Sequence, residues 1–288
     1  MTIKFGASTW IWTSPLTDAD VARLALHAAE MGFDLLELPV ESPGDFDYAQ
    51  AARILDQAGL DRTICAAMGS DRDLIHPDAA IRENGLAYVR HCIDAAATVG
   101  AQNVVGPIYS AVGRTWQSTV AERERDTELL VRQLCTLAAY ARPKGVVLCI
   151  EPLNRFETSF LNTVEQAIPV IDRVDSPACG LLLDTFHMNI EERSLGAAIR
   201  AAGDRVYHFH ASENDRGTPG AGHVPWQEAA DGLRAIGYRG PVVIETFTDK
   251  VTAIAAAAAI WRPLANSQDE LARKGLAFLR ELLADRSI

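Results

Sequence analysis

Four side chains in the second half of the sequence have the types and spacing of a metal centre. Glu151 follows the apolar run Val146–Ile150, and Asp184 follows Leu181-Leu182-Leu183. His210 closes Val206-Tyr207-His208-Phe209, and Glu245 follows Val242-Val243-Ile244. The four lie 33, 26 and 35 residues apart, each close to one strand–helix repeat of roughly 30 residues. A carboxylate at the end of an apolar strand is costly to bury alone, and a shared cation removes that cost. Any one of the four alone reads as readily as a helix N-cap or a satisfied rim charge. Independent caps, however, have no need of a common spacing. Three carboxylates and one imidazole form an oxygen-rich set that suits Mn2+ first, with Co2+ or Mg2+ as alternatives and Zn2+ tolerated.

Glu151 and Glu245 suggest a further role. On a barrel rim they stand three strand steps apart, which places them on opposite sides of a bound sugar. A metal between them would bind adjacent oxygens of a ketose and acidify the carbon-bound hydrogen. One glutamate would remove that proton and the other would return one from the opposite face, with the metal stabilising the enediolate between the steps. Inverting a stereocentre needs access to two faces, and two carboxylates supply it.

Polar residues after these strand ends are candidates for substrate contact, because loops at such positions carry function. Glu157 ends the stretch Glu151-Pro152-Leu153-Asn154-Arg155-Phe156-Glu157. His187 lies in Asp184-Thr185-Phe186-His187-Met188-Asn189 and is placed to polarise a carbonyl or hydroxyl. Arg216 follows His210-Ala211-Ser212-Glu213-Asn214-Asp215 and offers a fork of N–H donors to sugar oxygens. A surface ion pair is the plain alternative for each.

The elements that must position these residues follow from periodicity. Strands are expected at Lys4–Ser8, Leu35–Pro39, Thr63–Met68, Asn103–Ile108, Val146–Glu151, Gly180–Asp184, Val206–His210 and Pro241–Thr246. Helical periods occupy Asp18–Met31, Ile81–Val99, Arg123–Ala141, Thr163–Arg173, Trp226–Ile236 and Asp269–Ala284. Gly32, Gly59, Gly100, Gly145 and Gly237 punctuate the helix-to-strand joints, where a left-handed residue ends a helix. Strands alternating with helices pair in parallel through right-handed crossovers. Eight such units in 288 residues predict an α/β fold, a single (β/α)8 TIM barrel over residues 1–288. An open doubly wound sheet is the competitor, but no G-x-G-x-x-G follows the first strand.

Composition narrows the function classes. Hydrophobic residues make up 48% and charged residues 23%, as in ordinary globular domains. The net charge of −11 argues against nucleic acid as a partner, since phosphate backbones call for a positive surface. The five cysteines form no C-x-x-C pair and read as buried, reduced thiols of a cytoplasmic protein. The segment Met1–Phe5 has no basic region followed by an apolar core, and the run Ile254–Ile260 is too short to span a bilayer, so no membrane association is expected.

The segments EPLNRFE (151–157), LDTFHMNIEE (183–192), HFHASENDR (208–216) and PGAGHVPW (219–226) resemble the ketose 3-epimerases, which act on D-tagatose, D-allulose (psicose) or L-ribulose within the xylose-isomerase-like barrels. The resemblance is strongest from residue 151 onward and looser in the N-terminal half. It implies a Mn2+- or Co2+-dependent epimerisation of free ketoses at C3. It also implies Glu151, Asp184, His210 and Glu245 as ligands, Glu151 and Glu245 as the acid/base pair, and Glu157, His187 and Arg216 holding the sugar near O1 and O2. A homodimer or homotetramer is expected on the same grounds. The far end of the sugar pocket falls to the N-terminal half, where Trp10, Trp12, Met68, Tyr109 and Trp116, with Phe247, are candidates.

Three alternatives remain. An aldose–ketose isomerase or an inosose-type dehydratase would use the same rim. An endonuclease IV-like enzyme would need further His and Glu ligands and a surface suited to DNA. A non-catalytic sugar-binding barrel would bind without exchanging hydrogen.

Overall fold

The computed structural model describes residues 3–284. Met1 and Thr2, part of the N-terminal segment considered above, lie outside them. Eight parallel strands close into one barrel in chain order: β1 (Phe5–Ser8), β2 (Leu35–Pro39), β3 (Asp61–Cys65), β4 (Asn103–Gly106), β5 (Val147–Ile150), β6 (Cys179–Asp184), β7 (Val206–Ala211) and β8 (Val242–Ile244). The register closes where Phe5 meets Val242 and Gly6 meets Val243. The expected (β/α)8 architecture therefore holds, and the open sheet does not.

The long helices α1 (Asp18–Met31), α2 (Tyr48–Ala58), α3 (Ala79–Val99), α4 (Val120–Ala141) and α5 (Val164–Val174) each follow one strand. Two short helices, α6 (Thr185–Glu191) and α7 (Leu195–Ala202), follow β6; α8 (Trp226–Ala235) follows β7; and α9 (Thr252–Ala257) and α10 (Gln268–Leu282) follow β8. Side-chain oxygens accept from backbone N–H groups at many of their starts. Thr163 and Gln166 form a reciprocal capping box on α5, for example. All five joint glycines have positive φ, between 62° and 90°. No described helix is long and apolar enough to cross a membrane.

Several strands are shorter than expected. β3 stops at Cys65 rather than Met68, and β4 stops at Gly106 rather than Ile108. The apolar residues beyond them leave the ladder, and Met68 and Pro107 become walls of a cavity instead. An apolar run cannot by itself distinguish a ladder from a pocket wall.

Each strand alternates its side chains between the barrel interior and the helical ring. Leu36, Leu38, Ile64, Val104, Ile150, Leu183, Phe209 and Ile244 belong to the large outer core with the helices. Cys65, Val105, Cys149 and Leu182 form a smaller inner cluster with Trp10 and Phe247. All five cysteines are free thiols. Four are buried as expected, but Cys135 is exposed, because it falls on the outward face of α4 between the buried Leu134 and Leu137.

Candidate functional site

The alternation that packs Ile150, Leu183, Phe209 and Ile244 outward turns their neighbours inward. Glu151, Asp184, His210 and Glu245 therefore share the C-terminal mouth of the barrel. Asp184 and His210 are direct register partners across β6 and β7. The Glu151 N–H donates to the Gly106 carbonyl at the end of β4 (3.2 Å). One ligand atom from each of the four lies within 4.8 Å of the others. None of the four is more than 5% exposed.

Glu151 Oε1 and His210 Nδ1 are buried and lack a hydrogen-bond partner among the described residues. His210 Nδ1 lies 3.4 Å from Glu245 Oε1, without hydrogen-bond alignment. Two unpaired ligand atoms within a buried set of three carboxylates and an imidazole fit a divalent cation, which would satisfy them together.

The charges of this cluster perturb one another. Burial pushes the Glu151 carboxyl well above the usual range, helped by the Glu245 charge. Burial also raises Asp184, to about 6, against the pull of Arg216. Burial acts the same way on Glu245, but there His210 and Arg216 prevail and hold it low. His210 is disfavoured as a cation by burial, yet the charges of Glu37 and Glu245 raise it well above its ordinary value.

The three expected substrate residues gather around this cluster. Arg216 is 6% exposed, and its Nη1 donates to Asp184 Oδ2 (2.7 Å) and to Glu245 Oε2 (2.6 Å). Its φ of 62° is left-handed, a conformation that costs a non-glycine residue about 1–3 kcal/mol. Thr246 Oγ1 donates to its carbonyl, and the guanidinium lies 4.0 Å from the Phe186 ring centroid, so both its backbone and its head are clamped.

His187 Nδ1 accepts from the backbone N–H of Asn154 at 3.0 Å. Burial, with Arg216 nearby, holds the ring well below its ordinary value, so it is neutral. With Nδ1 accepting from that N–H, the proton falls to Nε2, and the Arg216 Nη2 at 3.2 Å from Nε2 is then a contact between two donors, not a hydrogen bond. His187 Nε2 lies 3.6 Å from Glu151 Oε1. Glu157 is only half-buried, and its Oε1 accepts from Asn154 Nδ2 at 2.8 Å. Asn154 thus orients both the histidine and the glutamate.

Glu151, Glu245, Glu157, His187 and Arg216 all line one cavity of about 640 Å3. Of the candidates for its far end, Trp10, Met68 and Phe247 line it as well. The other three do not. Trp12 donates to Asp269 Oδ1 beside His27, Tyr109 is fully buried against Phe160, and Trp116 lies outside, half-exposed against Arg114.

Glu37 is absent from the sequence-derived candidates. It points inward from β2, is fully buried, and lies 3.1 Å from His210 Nε2. His208 Nε2 lies 3.0 Å from Glu37 Oε2 but off the line of a hydrogen bond, while Thr63 Oγ1 donates to that oxygen at 3.1 Å. Burial resists ionisation of Glu37, yet His210 and His208 hold it down at about 2, so it is a carboxylate. By occupying His210 Nε2 it leaves Nδ1 for the cluster. A signal was available in the sequence. Leu36 and Leu38 flank the one charged residue of Leu35–Pro39, so alternation turns that residue toward the barrel axis.

The xylose isomerase-like TIM barrel family matches residues 26–282. The chain belongs to that family. This xylose isomerase-like barrel is 30% identical to the L-ribulose 3-epimerase of Methylomonas sp., with 97% of each chain covered. It is 34% identical to the D-psicose 3-epimerase of Agrobacterium fabrum, over 88% of this chain and 91% of the relative. Its structure superposes on D-allulose 3-epimerase from Methylomonas sp. in complex with D-allulose with a TM-score of 0.90, at 29% identity and 97% coverage of each chain. Relatives of this kind establish an enzyme of the isomerase/epimerase type.

Proposed function

We propose that this barrel epimerises free ketoses at C3, in the D-tagatose, D-fructose, D-allulose and L-ribulose class, using Glu151 and Glu245 as its two proton-transfer groups. The observation that carries the reading is their convergence. Strands three steps apart deliver two buried carboxylates to one cation-fitting cluster on the wall of a cavity. The names of the relatives point the same way. Glu151, Asp184, His210 and Glu245 would hold a divalent ion, with Mn2+ preferred and Co2+ or Mg2+ as alternatives. When bound, that ion supplies positive charge beside the oxygens of the substrate, which lowers the cost of removing the C3 proton.

The residues of the chain do the rest. One glutamate takes the C3 proton from one face, and the other returns a proton to the opposite face, so the stereocentre inverts. His187, neutral with its proton on Nε2, donates to a substrate oxygen near the reacting carbons. Arg216 and Glu157 fix the O1 and O2 end by donating and accepting, respectively. Trp10 and Phe247 give the same cavity an apolar wall. A homodimer or homotetramer is the expected assembly, and the reaction asks for no other partner.

The test is incubation with D-fructose, D-tagatose or L-ribulose in D2O with Mn2+, followed by NMR of the products. A C3 epimer carrying deuterium at C3, lost in Glu245→Gln and in Glu151→Gln, is expected. An aldose with deuterium at C2 would reassign the enzyme to the aldose–ketose isomerases. Absence of exchange on every ketose with the ion bound would sink the reading.

A further inference from the structure

The cavity that holds the acid cluster extends to a second polar group that the proposed chemistry leaves unused. Glu41, just after β2, and Arg72, in the loop after β3, line the same cavity as Glu151 and Glu245. Their strands lie on the other side of the barrel from β5–β8. Much of the wall around them is apolar, with Val40, Met68, Pro107 and Phe247 among its residues. Two charged groups in such a wall need an explanation, because each loses hydration there.

Both are held in place. Glu41 Oε1 accepts from Trp10 Nε1 (3.0 Å) and from Ser14 Oγ (2.5 Å), and no described residue donates to its other oxygen. Arg72 stacks with its guanidinium carbon 4.0 Å from the Tyr88 ring centroid, and its Nη2 donates to the backbone carbonyl of Glu41 at 2.9 Å. Its Nε is buried without a hydrogen-bond partner. The carboxylate within ion-pair distance of it is the exposed Asp71, at 3.5 Å from Nε. A guanidinium with unused donors and a carboxylate with an unused acceptor thus line the same cavity.

We infer that Glu41 and Arg72 form a distal subsite for the hydroxyl groups at the end of the sugar remote from the reacting carbons, so that the enzyme selects ketoses with a hydroxylated terminus, six-carbon ketoses above all. A hydroxyl donates and accepts at once, and this pair offers one partner for each role. Glu41 and Arg72 carry opposite charges, so together they suit a neutral polyol better than an anion. A phosphate or carboxylate at the same end would gain Arg72 but meet the Glu41 charge. The inference deepens the ketose 3-epimerase reading and rests on it.

The experiment compares kcat/KM for C3 epimerisation of D-allulose with that of 6-deoxy-D-allulose, in the native enzyme and in Arg72→Met. A site built to pair a hydroxyl discriminates against the analogue that lacks it. A charge-assisted hydrogen bond supports a preference of about tenfold or more. The native enzyme should favour D-allulose by that factor, and the ratio should fall toward one in Arg72→Met. A merely structural role for Arg72 would slow both substrates alike and leave the ratio unmoved, which would overturn the inference. So would a native ratio near one. If Arg72→Met does not fold, Glu41→Gln, which keeps the acceptor for Trp10 and Ser14, should still lower the ratio, and an unchanged ratio there counts against the subsite. If the native enzyme epimerises no ketose, the functional reading itself fails, an outcome distinct from an unmoved ratio.

Discussion

At the scale of single residues, the site consists of charges that would be untenable apart. Glu37 shows this best. It ionises in the barrel interior because two histidines face it, and it then fixes how His210 can act. Replacing an outer partner of a ligand imidazole usually costs 10–100-fold in metal affinity. Glu37→Gln keeps the shape and removes the charge, so Mn2+ affinity measured by titration calorimetry should fall within about that range. An affinity unchanged from the native protein would show that Glu37 merely fills space. Arg216 has a different cost. Its left-handed backbone is sustained by Thr246 and by aromatic rings on two sides, and that over-determination keeps the guanidinium between Asp184 and Glu245.

At the scale of elements, the strand ends set the positions of the chemistry. β4 ends in Gly106, whose φ is 120° and whose carbonyl receives the N–H of Glu151. A Cβ at Gly106 would run into the carbonyl oxygen of Ala66. Gly106→Ala should therefore combine overpacking with backbone strain, destabilising the protein by roughly 2–5 kcal/mol. Urea unfolding would measure the loss, and proton exchange at C3 should slow with it because Glu151 hangs on that carbonyl. A variant as stable and active as the parent would mean the loop after β3 yields freely. The helix starts are less critical to the site, since capping contributes about 1 kcal/mol each and touches no rim residue except at Asp184. That carboxylate accepts from the Phe186 N–H at 2.7 Å while standing in the acid cluster, so one side chain both starts α6 and serves the rim.

At the scale of the whole molecule, a cation held by the cluster would couple metal binding to stability. A ligand at 100 times its dissociation constant stabilises the native state by about 2.7 kcal/mol. For a chain of this size that corresponds to a rise of about 4–5 °C in melting temperature. Chelator-treated protein should melt lower and recover on addition of Mn2+, as read by scanning calorimetry. If Mn2+, Co2+ and Mg2+ all leave the transition in place, the four residues do not form a metal centre. The barrel explains why stability and chemistry share this cluster. Closing the sheet brings three carboxylates and one imidazole to one rim; His210 and Arg216 offset part of the carboxylate repulsion, and a bound cation would offset more.

The repeat of apolar runs, their polar ends near every thirtieth residue and the glycines at the joints were all present in the one-dimensional chain. They were enough to specify eight strands, a parallel closure and the set Glu151, Asp184, His210 and Glu245. Periodicity carries such information because strand alternation and helix period are local properties of the backbone. Glu37 was legible by the same alternation but lies a whole half-barrel away in sequence, so nothing local tied it to His210. Trp12, Tyr109 and Trp116 could not be told from Trp10 and Phe247 by residue type, because an aromatic near a strand end packs as readily into the core as beside a ligand. Nor did any local pattern mark Glu41 and Arg72, which lie in loops. Their meeting depends on how two βα connections fold over the barrel mouth, and distances between loops are set by tertiary packing.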